Sequence, residues 1–192
     1  SGGFNSMVSG LKAFSRYVPR TLVQKLLREG RADAPPEARE VAVLFTDIAD
    51  FTTMSESVEP EELMLRISDY LEAVGSEILA CGGTIDKFIG DAVMAFWNAP
   101  VRQEGHPALA CKSALLARQA NRLLNDAWNS MGIPPMRTRF GLHIGEVIVG
   151  NVGSEDRLSF TAIGAEVNLA SRLEGLNKYY GTEILVSETV RD

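Results

Sequence analysis

Thr84-Ile85-Asp86-Lys87-Phe88-Ile89-Gly90-Asp91-Ala92-Val93-Met94-Ala95-Phe96-Trp97 reads as a β-hairpin. Two runs of strand-forming residues flank Gly90-Asp91, the kind of two-residue turn that tight hairpins demand. The acid at its tip, Asp91, has a counterpart. Asp47 closes the apolar strand Val41-Ala42-Val43-Leu44-Phe45. Strands of this buried type carry no spare charge unless it is paired or bound to a cation. If the strand and the hairpin are neighbours in one sheet, the two carboxylates meet at one edge. A hard divalent ion that also grips a phosphate is then the natural third party.

Outward from this pair, the chain alternates strand and helix signals. Strand 41–46 is followed by a loop over 47–57. Pro60 opens a helix at a tolerated position, with an apolar stripe of Leu63, Ile67, Tyr70, Leu71, Val74 and Ile78; Gly82-Gly83 ends it. After the hairpin, a second helix spans about 107–128. Residues 137–144 and 147–150 read as a second hairpin turning at Gly145-Glu146. A loop over 151–158, a strand at 159–163, a helix over about 165–179 and a strand at 183–186 complete the order. This is an α+β pattern, a ferredoxin-like βαββαβ core extended by a further strand, helix and strand. Helices are expected on one face of a mainly antiparallel sheet.

Upstream, residues 4–29 read as helix interrupted at Pro19, with Leu22, Val23, Leu26 and Leu27 on one stripe, and 31–39 as a linker. The domain reading is therefore a connector helix and linker at 1–39, with 1–3 a cloning remnant, and a main domain at 40–192.

The 192 residues are 45% hydrophobic and 23% charged, ordinary globular proportions. A net charge of -6 argues against a nucleic-acid groove, which would show a basic face. It does not argue against a nucleotide, whose phosphates are met by bound metal and a few placed cations. No stretch is long enough to span a membrane. Cys81 and Cys111 lack paired motif spacing, and His106 and His143 are too separated for a histidine metal site.

Three further features point toward phosphate and base chemistry. The segment Ile48-Ala49-Asp50-Phe51-Thr52-Thr53 runs from a strand end toward a helix, so its N–H groups can face a phosphate. Lys87, on one face with Ile85 and Ile89 by strand alternation, needs a partner such as a base edge. Asn168 and Arg172, one helical turn apart, share an edge suited to a sugar and a phosphate, while Leu169, Leu173, Leu176 and Tyr180 supply packing. Each also has a plain reading: an ordinary loop, a solvated lysine, a polar helix edge.

Taken together, VAVLFTDIADFTTMSE (41–56), GGTIDKFIGDAVMAFW (82–97), RFGLHIGEVIVGNVG (139–153) and FTAIGAEVNLASRLE (160–174) resemble the class III nucleotidyl cyclase catalytic domain. The resemblance covers about residues 40–187. It implies conversion of ATP to 3′,5′-cyclic AMP and pyrophosphate in a head-to-tail homodimer with sites at the interface. It implies two Mg2+ or Mn2+ ions per site, held by Asp47, Asp91 and the carbonyl of Ile48, with Phe51 and Thr52 beside the phosphates. The second copy would bring Lys87 to adenine, Asn168 to the ribose and Arg172 to the transition state. Arg157 looks like the triphosphate-contacting arginine.

Lys87 matches the adenylyl type, where guanylyl cyclases carry glutamate. Thr161 stands where adenylyl cyclases often carry aspartate, and resembles a threonine-bearing subgroup, some of whose members respond to bicarbonate. The family usually continues past Ser187 into a hairpin with a further triphosphate lysine, which this sequence lacks. An upstream sensor or transducer and a cytoplasmic catalytic domain are expected, with membrane anchoring of the parent open. The alternatives are a non-catalytic nucleotide-sensing or dimerising module, a guanylate cyclase, or a diguanylate cyclase, whose Gly-Gly-acidic-Glu-Phe turn is absent.

Overall fold

A computed structural model describes residues 20–28, 30, 35–154 and 158–191. The helix expected before Pro19, linker residues 31–34 and Arg157 lie outside the described residues. Helix α1 (Arg20–Arg28) precedes β1 (Glu37–Ile48), the short helix α2 (Phe51–Ser55) and α3 (Pro60–Ala80). The hairpin β2 (Thr84–Ile89) and β3 (Ala92–Trp97) follows, then α4 (His106–Ser130), β4 (Thr138–Gly153), β5 (Leu158–Ile163), α5 (Ala165–Tyr180), β6 (Ile184–Val186) and α6 (Glu188–Arg191). The strands form one sheet in the order β2-β3-β1-β4-β5. All these pairs are antiparallel, and β6 joins β4 in parallel. This is the ferredoxin-like core with its extension. No helix among the described residues is long and apolar enough to cross a membrane.

Helices cover both faces of the sheet, not one. Ala42 and Leu44 of β1 bury against Tyr70, Val74 and Ile78 of α3 and Ala110, Ala114 and Ala117 of α4. Val41 and Val43 bury in a second cluster with Leu22 of α1 and Val167 and Ala170 of α5. Both sets of alternate side chains on β1 are therefore out of water. An uninterrupted apolar run such as VAVLF follows from that, because a strand with one wet face alternates instead. At about 25 cal/mol per Å2 of apolar surface removed from water, this central strand anchors the domain.

The expected turn at Gly145-Glu146 is absent. β4 runs unbroken over Thr138–Gly153 because β1 pairs with it from Ile48↔Thr138 to Glu37↔Val149. A chain that folded back at Gly145 would forfeit these ladder bonds. The second hairpin is instead β4 with β5, from Ile148↔Ile163 to Gly153↔Leu158. Gly145 has a different use: a Cβ there would lie 2.6 Å from Cγ of Glu166. The first strand also begins at Glu37 rather than Val41, and the expected 47–57 loop contains helix α2.

Helix α5 packs through small residues, not through the expected Leu169-Leu173-Leu176-Tyr180 stripe. Its buried positions are Val167, Ala170 and Asn177. It rests so closely on β4 that a Cβ on Gly141 would stand 2.4 Å from the Ala170 carbonyl oxygen. A helix seated this deeply buries its short side chains. Leu169 and Leu176 are left partly in water, and Tyr180 is 70% exposed.

Candidate active site

β1 and the β2–β3 turn end side by side because β1 pairs with β3 up to Thr46↔Val93. Asp47 is the next position outward on β1, and Asp91 lies two positions beyond Val93, in the turn just before β3. The N–H of Ile48 donates to Asp91 Oδ2 at 3.1 Å. Burial pushes the Asp47 carboxyl up to about 7, and the neighbouring Asp91 and Glu174 add to that. A part-buried carboxyl beside another acid is costly to ionise, and Asp47 is the one that shows it. Arg139, opposite Asp47 in the β1–β4 register, is a partial counter-charge, with Nη2 3.4 Å from Asp47 Oδ2. The same guanidinium has Nε 3.1 Å from Glu174 Oε1 and is shared between the two acids.

The acids open onto a cavity of about 440 Å3 lined by Asp47, Ile48, Phe51, Thr52, Asp91 and Arg139. Asp50, with φ of 58°, turns the chain into α2 and sets Phe51 and Thr52 on its wall. The donor set suits a hard cation: carboxylate oxygens and a strand-end carbonyl, with room for phosphate oxygens and water to complete the shell. Asp47, Asp50 and Asp91 face Arg139 and Lys178 across this lining, a balance of charge compatible with a bound cation.

A second cavity of about 480 Å3 is lined by Lys87, Met94, Thr161, Val167 and Asn168. Lys87 arrives there by a route that strand alternation did not foresee. A β-bulge at Asp86 shifts the β2–β3 register, from Ile85↔Ala95 to Lys87↔Met94. Ile85 therefore packs with the α3–α4 cluster while Lys87 faces the other way, and the two do not share a face. Lys87 Nζ lies 3.4 Å from Thr161 Oγ1, and the Thr161 hydroxyl donates to Asp86 Oδ2. Asn168 reaches the cavity from the first turns of α5; Arg172, one turn on, is exposed and lines neither cavity.

The two cavities share no lining residue. Within the chain, the Asp47–Asp91 cavity and the Lys87–Thr161 cavity are therefore separate. Arg139, Glu174 and Asp86 were not singled out from sequence. The register opposite Asp47 reveals Arg139, the seating of α5 on β4 reveals Glu174 and the bulge before Lys87 reveals Asp86, for which an acid next to a lysine is a sequence signal.

Residues 34–192 match the sequence profile of the adenylate and guanylate cyclase catalytic domain. The chain belongs to that family. It is 44% identical over 191 residues to "Adenylate cyclase 1" of Rhizobium meliloti (strain 1021), covering 99% of this chain and 29% of that protein. It therefore spans less than a third of that relative. The crystal structure of the adenylyl cyclase CyaB from P. aeruginosa is 36% identical, with a TM-score of 0.75 over 81% of this chain and 80% of that one. That of the guanylyl cyclase Cya2 is 33% identical, with a TM-score of 0.74 over 80% and 77%.

Proposed function

We propose that this domain is an adenylate cyclase that forms 3′,5′-cyclic AMP and pyrophosphate from ATP at two sites shared between two copies. The observation that carries this reading is the division of the chain into an acidic half-site at Asp47 and Asp91 and a base-facing half-site at Lys87 and Thr161. The half-open site fits a second copy, and so do the partly or fully exposed Leu169, Leu176, Tyr179 and Tyr180 on α5, next to Asn168 and Arg172. An adenylate cyclase relative at 44% identity supports the choice of reaction.

Asp47, Asp91 and the Ile48 carbonyl would hold two Mg2+ or Mn2+ ions, which supply Lewis-acid activation of the ribose 3′-hydroxyl and charge neutralisation of the triphosphate. The chain's own residues do the rest. Phe51 and Thr52 wall the phosphate end, with Arg157 as a further triphosphate contact. Lys87 and Thr161 of the second copy receive adenine. Asn168 orients the ribose so that its 3′-oxygen lies in line with the α-phosphorus. Arg172 meets the charge that develops on the α-phosphoryl oxygens.

Helix α1 fits the role of a connector from an upstream sensor or transducer. It is fastened to the catalytic fold through Lys25, whose Nζ donates to Gly82 O at 2.9 Å and Gly83 O at 3.2 Å, and lies 3.1 Å from Thr84 Oγ1. These contacts join it to the start of β2, the strand that carries Lys87. The connector is read as 1–39, of which Glu37, Ala38 and Arg39 already pair in β1, and the catalytic domain as 40–192, on the cytoplasmic side where ATP is available. The decisive assay incubates the chain with ATP or GTP and Mg2+ or Mn2+ and identifies the product. Cyclic AMP formed in preference to cyclic GMP is expected; no cyclic nucleotide at any chain concentration would refute the reading.

A further inference from the structure

Asp86 takes no part in the reaction described above, yet it is the most deeply buried acid beside that chemistry. Its side chain is 1% exposed. The bulge in β2 is what turns it and Lys87 toward Thr161 together. Oδ2 accepts the Thr161 hydroxyl, while Oδ1 is buried without a hydrogen bond, 3.5 Å from Lys87 Nζ. Burial pushes the Asp86 carboxyl upward, and the Thr161 hydroxyl and Lys87 oppose that push.

We propose that Asp86 sets the base preference of this cavity by fixing the hydroxyl of Thr161 as an acceptor toward the base. The inference rests on reading the Lys87–Thr161 cavity as the purine site, and deepens it. A hydroxyl has one proton and two lone pairs. A carboxylate only accepts, so the Thr161 proton is committed to Asp86. Lys87 donates toward one lone pair from 3.4 Å. The other is left for the ligand.

Adenine and guanine differ at the 6-position, an amino donor in one and an oxo acceptor in the other. A threonine obliged to accept pairs with the amino group and sets lone pair against lone pair with the oxo group. A threonine free to rotate would serve both. Asp86 is thus a positioning residue that acts through Thr161 and converts an ambiguous hydroxyl into a selective one.

The test is competition of ATP and ITP, which carries the 6-oxo group without guanine's 2-amino group, against a ribose-labelled fluorescent ATP, with magnesium present. The wild-type chain is expected to prefer ATP. In Asp86→Ala the ATP-over-ITP ratio should fall about tenfold, the order of one hydrogen bond gained or lost. Part of that fall should come from tighter ITP binding. Asp86→Asn keeps a carbonyl acceptor and should retain most of the ratio. If Asp86→Ala does not fold, Asp86→Leu, similar in size and lacking an acceptor, should show the same collapse. An unchanged ratio, or equal weakening for both nucleotides, overturns the proposal. Failure of ATP itself to compete in the wild-type chain would instead remove the purine-site reading beneath it.

Discussion

The N–H of Ile48 donates to Asp91 Oδ2 at 3.1 Å, tying the turn acid to the strand end that carries Asp47. The bond fixes where two like charges meet before any ligand arrives. It holds the two acids together in advance, at the cost of repulsion between them.

Asp47→Asn and Asp91→Asn should each lower cyclase turnover by at least about a hundredfold if, as proposed, the pair holds the cations, since each removes charge from it. The far-ultraviolet circular dichroism spectrum should be unchanged. Either variant retaining full activity under saturating Mn2+ would reject the assignment of that acid.

The metal-free fold should lose stability as Asp47 ionises. The Asp47 pKa is raised to about 7 in the folded chain, against about 3.9 when unfolded. The folded state therefore holds the extra proton between these values. This contribution is full below about pH 4 and is gone once the pH passes about 7. Asp47→Asn should accordingly raise Tm at pH 8 in the presence of a chelator, with little gain at pH 4. Equal shifts at both pH values would argue against a strained carboxylate pair.

Arg172→Ala should slow turnover by roughly 10²- to 10³-fold, the usual loss for a transition-state contact. Mixing it with Asp47→Ala under conditions of subunit exchange should restore part of the activity. A mixed pair keeps one site with Asp47 and Arg172 both intact. Activity of the mixture no greater than that of the separate variants would exclude shared sites.

Gly141→Ala should unseat α5. The new Cβ would stand 2.2 Å from the Glu174 nitrogen and 2.4 Å from the Ala170 oxygen, both backbone atoms that cannot yield without moving the helix. A cost of about 1–3 kcal/mol or more is expected, a fall in Tm of about 5 °C or more. Because Asn168 and Arg172 ride on this helix, kcat should fall alongside. An unperturbed Tm would show that the contact relaxes freely.

Much of this site is legible in the chain itself. Asp47 at the end of an apolar run and Asp91 in a two-residue turn follow from strand and hairpin chemistry. Helical spacing puts Asn168 and Arg172 on one edge of α5, but only Asn168 reaches a cavity. What misled the reading was local ambiguity. Gly145 looks like a turn residue, but its neighbours pair with β1 and its missing Cβ makes room for Glu166. The leucines of α5 look like its packing face, but the helix beds on Ala170 against Gly141. Alternation placed Lys87 with Ile85, and the bulge at Asp86 reversed it.

The sequence by itself determined the order of elements and the identities of the acids, because side-chain periodicity and turn chemistry are local properties of a chain. Only the tertiary structure decided which side chains face one another. The register of β1 on β4 set Arg139 against Asp47, and the approach of β5 to the bulged β2 set Asp86 against Thr161. Contacts between residues distant in the chain depend on which packing buries the most apolar surface with its polar groups satisfied, and no local pattern encodes that choice.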